Sequence, residues 1–235
     1  MAITPKNIYP GRKGAAGTWQ KIVSEIPRCE MFIDAMTGSG IISSLVSGCQ
    51  VVMNDIDQTA IGNIVYPVGE TGLIVSNLHY LDLVKQYNNG SNARVFYFDP
   101  PYLMQTRSYK KPIYNYEWGE KDHTTFLEIA VLIKCPVMIS HYPCSQYDTA
   151  LKGWRVVTYN TMTRAGIRRE RLYMNFPQPV LLQCFEYAGE NFTDRQRIKR
   201  KIDRLTARLQ SEDEKERAVI LSSIIANFSF ITHKK

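Results

Sequence analysis

The 235-residue chain has no apolar run long enough to cross a membrane, and its start lacks the pattern of a secretory signal. Its five cysteines (Cys29, Cys49, Cys135, Cys144, Cys184) are odd in number and scattered, with no C-x-x-C pair. A disulfide framework is therefore not expected, and reduced thiols in a cytoplasmic protein are. His141 and Cys144 have no second ligand pair, so no metal is expected. Neither G-x-G-x-x-G nor G-K-[ST] occurs, which disfavours a pyrophosphate or triphosphate ligand. Internal repeats and low-complexity tracts are missing as well. What remains has the length of one substantial α/β core with an appendage, and 29 basic against 22 acidic residues give it a net charge of +7. That balance suits a polyanionic partner.

The most informative stretch is Asp99-Pro100-Pro101-Tyr102, directly behind Ala93-Arg94-Val95-Phe96-Tyr97-Phe98. The apolar, β-branched and aromatic run predicts a strand buried on both faces. Two prolines end it, because neither donates to a sheet ladder. A carboxylate is thus held at the C-terminal end of a buried strand, the edge where open α/β sheets bind ligands. An exocyclic amino group on a nucleobase has two N–H donors and a delocalised lone pair. A site for it wants two acceptors and a surface to lie on. Asp99 accepts only, Pro100 offers a carbonyl with no competing N–H, and Tyr102 offers an aromatic face. Such a grip works through positioning and fixed charge rather than proton removal.

The rest of the chain supplies a setting. Tyr9-Pro10-Gly11-Arg12-Lys13-Gly14 precedes a helix expected over 17–26. Met31–Asp34 reads as a strand, followed by a turn carrying Gly38 and Gly40 and then a helix, the first unit of a Rossmann-like sheet. A second strand, Val51-Val52-Met53, ends in Asn54-Asp55-Ile56-Asp57. Asp55 is placed to take ribose hydroxyls of an adenosyl cofactor, whereas Asp57 reads as the cap of a helix entered at Gln58. After a third strand over 72–75, Tyr80 is placed to pack on the cofactor adenine. Further strands are expected at 137–140, 155–159 and 172–176, with a helix over 121–134.

Taken in order, Tyr9-Pro-Gly-Arg-Lys13, Phe32-Ile-Asp-Ala-Met-Thr-Gly38-Ser-Gly40, Asn54-Asp55-Ile56, Ser76-Asn-Leu-His-Tyr80-Leu-Asp82 and Asp99-Pro-Pro-Tyr102 resemble the successive motifs of the Dam-type (D12 class) DNA N6-adenine methyltransferases. Val137–Ser140 and Arg171–Phe176 resemble that family's later strands, so the likeness covers roughly 8–177. The resemblance implies a Rossmann-like S-adenosylmethionine-dependent methyltransferase fold. It implies S-adenosylmethionine held by Tyr9, Lys13, Asp34, Asp55, Tyr80 and Asp99, with Gly38 at the methionine end. Asp99, Pro100 and Tyr102 would then grip a flipped adenine of DNA. One departure is plain: only 58–72 separates Asp57 from the third strand, where the family carries a target-recognition insertion. Weak or unusual sequence specificity is the expectation. Cytosine N4, RNA adenine, or a binding protein with a relict pocket are the rival readings.

Nucleic-acid contact is expected from the interleaved basic and aromatic loop 106–118, through Arg107, Tyr109, Lys110 and Lys111, and from Arg168 and Arg169 around a turn before the last strand. A catalytic domain over 1–188 is followed by a basic C-terminal arm over 189–235. The arm reads as a helical hairpin with capping boxes at Thr193/Gln196 and Ser211/Glu214 and a stripe of Ile198, Ile202, Leu205 and Leu209. It suits a DNA backbone or a packing partner, including a second copy of the chain.

Overall fold

The computed structural model describes residues 11, 13–15, 17–62, 72–108, 110–163 and 166–229. Seven strands form one sheet: β1 (Met31–Asp34), β2 (Gln50–Asn54), β3 (Leu73–Ser76), β4 (Arg94–Phe98), β5 (Val137–His141), β6 (Arg155–Thr163) and β7 (Gly166–Met174). Their order is β3-β2-β1-β4-β5-β7-β6. β1 to β5 run parallel, and β7 is antiparallel to both β5 and β6. This is a Rossmann-like α/β sheet with an antiparallel end. The strand order reverses at β1, which pairs with β2 on one side and β4 on the other. Ligands of such sheets bind outside the strand ends at that reversal.

Alternate residues of the central strands feed two cores, as the two-residue period of a strand requires. Phe32, Val51, Met53, Val95, Tyr97 and Met138 join Ile22 and Ile26 from the α1 region (α1, Thr18–Val23) on one face. Ile33, Val52, Phe96, Phe98, Val137 and Ile139 join Leu83 and Val84 of α3 (Tyr80–Tyr87) and Phe126 and Leu127 of α4 (Glu120–Ala130) on the other. Two short helices, α2 (Gln58–Gly62) and α5 (Ser145–Ala150), complete the layers. The expected buried strand before Asp99 is therefore present and is covered on both faces.

Four expectations are corrected. No α-helix follows the glycine turn, only a 3₁₀ turn over Ser43–Leu45. The Ser43 hydroxyl donates to Asp34 and that of Ser44 to the Ile41 carbonyl, local bonds that compete with helix formation. Arg168, Arg169 and Arg171 do not surround a turn but lie within β7, whose hairpin with β6 pairs all the way from Arg155↔Met174 to Thr163↔Gly166. In the arm, Asn191 rather than Thr193 caps α6 (Phe192–Ser211), accepting from the Asp194 amide, and Asp213 rather than Ser211 accepts from the first amides of α7 (Glu214–Ser229). Nor do α6 and α7 close into a packed hairpin: α6 has no buried residue, and Leu205, Ile224 and Ile225 are mostly exposed.

One side chain knits the reversal together. Asn54, at the end of β2 and 1% exposed, donates to the carbonyls of Ala35 and Leu78 and accepts from the Leu78 amide and the Ser76 hydroxyl. It thereby fixes the turns leaving β1 and β3. Asn54→Ala strands several buried polar groups and is expected to cost about 3 kcal/mol. Urea unfolding measures this, and a loss under about 0.5 kcal/mol, the usual bound for surface substitutions, would show the staple to be dispensable.

Candidate active site

A cavity of about 270 Å³ opens at the C-terminal ends of the parallel strands. Its walls come from the turn after β1 (Asp34 to Gly38), the end of β2 (Asp55), the approach to α3 (Leu78 to Tyr80), the end of β4 (Asp99, Pro101), the loop residues Tyr114 to Trp118, and Gly11 and Lys13. The structure thus brings Lys13, Asp34, Gly38, Asp55, Tyr80 and Asp99 around one space, as the sequence reading expects. Tyr9 lies outside the described residues.

Each carboxylate has its own task. Asp55 accepts from the Gly38 amide at 2.8 Å and the Asp57 amide at 2.9 Å, pinning the glycine turn against β2. Gly38 there has φ +51°, a left-handed conformation that favours glycine. Asp57 caps α2 through the Thr59 amide and hydroxyl, as the sequence reading expects. Asp34 is 1% exposed; Ser43 donates to its Oδ2 at 2.6 Å, while Oδ1 has no hydrogen-bond partner among the described residues. Burial pushes its carboxyl up to about 7, with Ser43 opposing and Asp99 and Asp55 adding to the rise. Tyr80 forms an aromatic wall with His79, Trp118 and Phe126.

Asp99 belongs to a buried charged cluster. The Lys13 ammonium sits 2.9 Å from Asp99 Oδ1 and 3.4 Å from Glu170 Oε2, and it donates to the Tyr102 hydroxyl at 2.5 Å. Tyr102 and Tyr159 both donate to Glu170 Oε2, each at 3.0 Å. Burial raises the Asp99 carboxyl to about 6, Lys13 pulls it down and Glu170 pushes it up. Burial disfavours the Lys13 ammonium, but Asp99 and Glu170 outweigh it and raise its pKa. Sequence reasoning missed Glu170 and Tyr159. The available signal was an acid in step with Leu172 and Met174, on the inward side of β7.

Two expectations for the tetrapeptide change. Pro100 and Tyr102 do not line the cavity; Pro101 does. The Tyr102 ring packs with His141 and Tyr142 under the Lys13 ammonium, 4.5 Å from its centroid, so in this arrangement it anchors the cluster rather than offering an open face.

The candidate nucleic-acid contacts separate into two kinds. Arg107 is not a phosphate contact: it is buried, pairs with both oxygens of Glu117 at 2.8 and 2.5 Å, and donates to the Tyr102 carbonyl. Its reach is spent on clamping its own loop. Arg168 donates to the Thr106 carbonyl and lies over Tyr142, so it braces the same loop from β7. Lys110, Lys111 and Arg169 are exposed. Tyr109 lies outside the described residues.

Asp34 sets a pH dependence of stability. A carboxyl whose folded pKa is raised to about 7 binds its proton more tightly in the folded state, so its contribution is present at pH 4 and lost as pH rises through 7. Asp34→Asn should flatten that decline, making the ligand-free protein the more stable of the two at pH 8. Denaturant unfolding at pH 5 and 8 measures the slopes, and equal slopes would show that Asp34 ionises freely.

No protein-family model matches the chain, and no curated protein does. Solved structures to which the chain is similar include the SAM-dependent methyltransferase from Agrobacterium tumefaciens, at 14% identity and a TM-score of 0.43 over 66% of this chain and 58% of that one. The rRNA methylase from Streptococcus thermophilus matches at 13% identity and 0.41, over 66% and 90% of the two chains. Magnesium protoporphyrin IX methyltransferase from Synechocystis PCC 6803, solved with bound SAM, matches at 15% and 0.43, over 67% and 75%. This chain spans just over half of the Agrobacterium protein. At such identities and scores it is the strand order, not the likeness, that establishes the Rossmann-like fold.

Proposed function

We propose that this chain is an S-adenosylmethionine-dependent methyltransferase that methylates the N6 amino group of adenine in DNA. The observation that carries the reading is the Asp99 carboxylate, held by the Pro100-Pro101 stop at the end of β4 and facing a cavity of strongly acidic lining. Among the described residues six carboxylates (Asp34, Asp55, Asp57, Asp99, Glu117, Asp122) line that cavity against one ammonium, Lys13. A polyphosphate would be repelled there and a cationic ligand drawn in. The unpartnered Asp34 Oδ1 fits a cationic donor such as the cofactor's ammonium. Asp55, Gly38 and Tyr80 would hold its ribose, methionine end and adenine.

The cofactor, when bound, supplies a methyl group already activated on a sulfonium. The chain's own residues have the remaining work. Asp99, which lines the cavity, accepts an N–H of the amino nitrogen and aims its lone pair, so most of the gain is orientation and fixed charge. A duplex substrate requires the base to be flipped out, at a cost of a few kcal/mol. DNA backbone would be met by exposed Lys110, Lys111 and Arg169 and by the cations of α6, Arg195 to Arg208. The exposed Leu205, Ile224 and Ile225 of the arm would serve a second copy of the chain. With no recognition insertion, specificity is weak.

The test is to incubate the protein with methyl-labelled cofactor and unmethylated DNA and digest the product to nucleosides. N6-methyladenine is expected. Label only in cytosine, or only with RNA, would replace the substrate assignment, and no label on any nucleic acid would end it. Asp99→Ala should lower the rate at least about a hundredfold, on the scale of losing a main electrostatic group. Its fold should survive, because Lys13 keeps Glu170 as a partner.

A further inference from the structure

We propose that Glu170 is a positioning residue for Asp99: it receives the Lys13 ammonium when a substrate amino group takes that ammonium's place. The inference rests on the reading of Asp99 as the acceptor for an amino nitrogen. In the structure Lys13 Nζ stands 2.9 Å from Asp99 Oδ1. An ammonium held there is a stronger donor than a neutral amino group, so Asp99 Oδ1 opens to a substrate only when Lys13 withdraws. With one carboxylate in the cluster, withdrawal would leave a buried cation unpaired, at severe cost. Glu170 removes that cost. Its Oε2 is already 3.4 Å from Nζ, so a small rotation at the end of the lysine side chain moves it from one carboxylate to the other.

Glu170 is built for the task. It is 4% exposed, does not line the cavity, and is fixed by hydroxyl donation from Tyr102 and Tyr159, so it acts on the site through Lys13 and Tyr102. Tyr102 Oη accepts from Lys13 while donating to Glu170, which keeps the ammonium tethered at either end of its travel. Lys13 before α1, Tyr102 behind β4 and Glu170 in β7 act on Asp99, and Asp99 in turn bears on Asp34 at the end of β1, Tyr97 in β4, Tyr114 in the loop, Tyr142 behind β5, Tyr147 in α5 and Tyr159 in β6. Glu170 is the one among them that raises Asp99 without touching the cavity.

Glu170→Gln keeps an oxygen for the tyrosine hydroxyls and removes the charge. Single-turnover methyl transfer should slow at least tenfold, while calorimetric affinity for S-adenosylmethionine stays within twofold. The acid limb of the pH–rate profile should move to lower pH, since the like charge that raises Asp99 is gone. A carbon-13 NMR titration of the Asp99 carboxyl, which needs no activity, should show the same fall in midpoint. A wild-type rate with an unchanged midpoint would overturn the proposal. Should the glutamine variant fail to fold, Glu170→Asp retains the charge with a shorter reach. Several-fold slowing is expected of it, and an unchanged rate would count against the proposal. If the wild-type protein itself transfers no methyl group, the functional reading fails, and the NMR midpoints alone decide whether Glu170 governs the charge on Asp99.

Discussion

The site depends on how few cations answer its buried acids. At the sheet edge Asp34, Asp55 and Asp99 are desolvated together, with Glu170 just behind, and among the described residues Lys13 is the ammonium set among them. In a low-dielectric interior such a group holds together only where each acid has its own compensation. Asp55 takes two backbone amides, Asp99 and Glu170 share Lys13, and Glu170 adds two tyrosine hydroxyls. Asp34 takes the Ser43 hydroxyl, and burial raises it to about 7. Among these acids Asp34 is thus the one whose burial is least compensated within the described residues.

That arrangement explains which parts of the site could be read from the sequence. Asp99 was legible because two prolines and a buried strand lie next to it in the chain. Asp55 and Asp57 were legible because a cap leaves a local pattern. Glu170, Tyr159 and Asn54 were not, because their partners come from distant parts of the chain: Lys13 and Tyr102 for Glu170, Ala35 and Leu78 for Asn54. Arg107 was misread for the same reason. A basic residue among aromatics fits a phosphate contact until its partner, Glu117, is seen across the loop. The fold fared better, since strand periodicity and glycine turns are local signals. The missing helix after Gly40 is the exception, decided by a serine hydroxyl reaching back to Asp34.

The arm shows the reverse case, in which local signals are strong and tertiary ones scarce. α6 and α7 form because caps, helix formers and ion pairs such as Arg197–Asp194 favour them. Yet α7 carries Val219, Ile220, Leu221, Ile224 and Ile225 around most of its circumference, and all are at least a third exposed. An apolar helix of this kind is ordinarily covered.

The loop between β4 and α4 joins these themes. Arg107 and Glu117 close it into a ring, and Asn115 reaches across to Asp57 at 2.8 Å, beside the acid that pins the glycine turn. Arg168 of β7 holds its start through the Thr106 carbonyl. The loop is therefore tied at once to β2, to β7 and to the strand end bearing Asp99. A ligand settling against Asp55 and Tyr80 presses on the same loop that carries Tyr114 and Trp118 over the cavity, and Lys110 and Lys111 project from its outer side. The cavity wall and the exposed Lys110 and Lys111 thus belong to one braced segment.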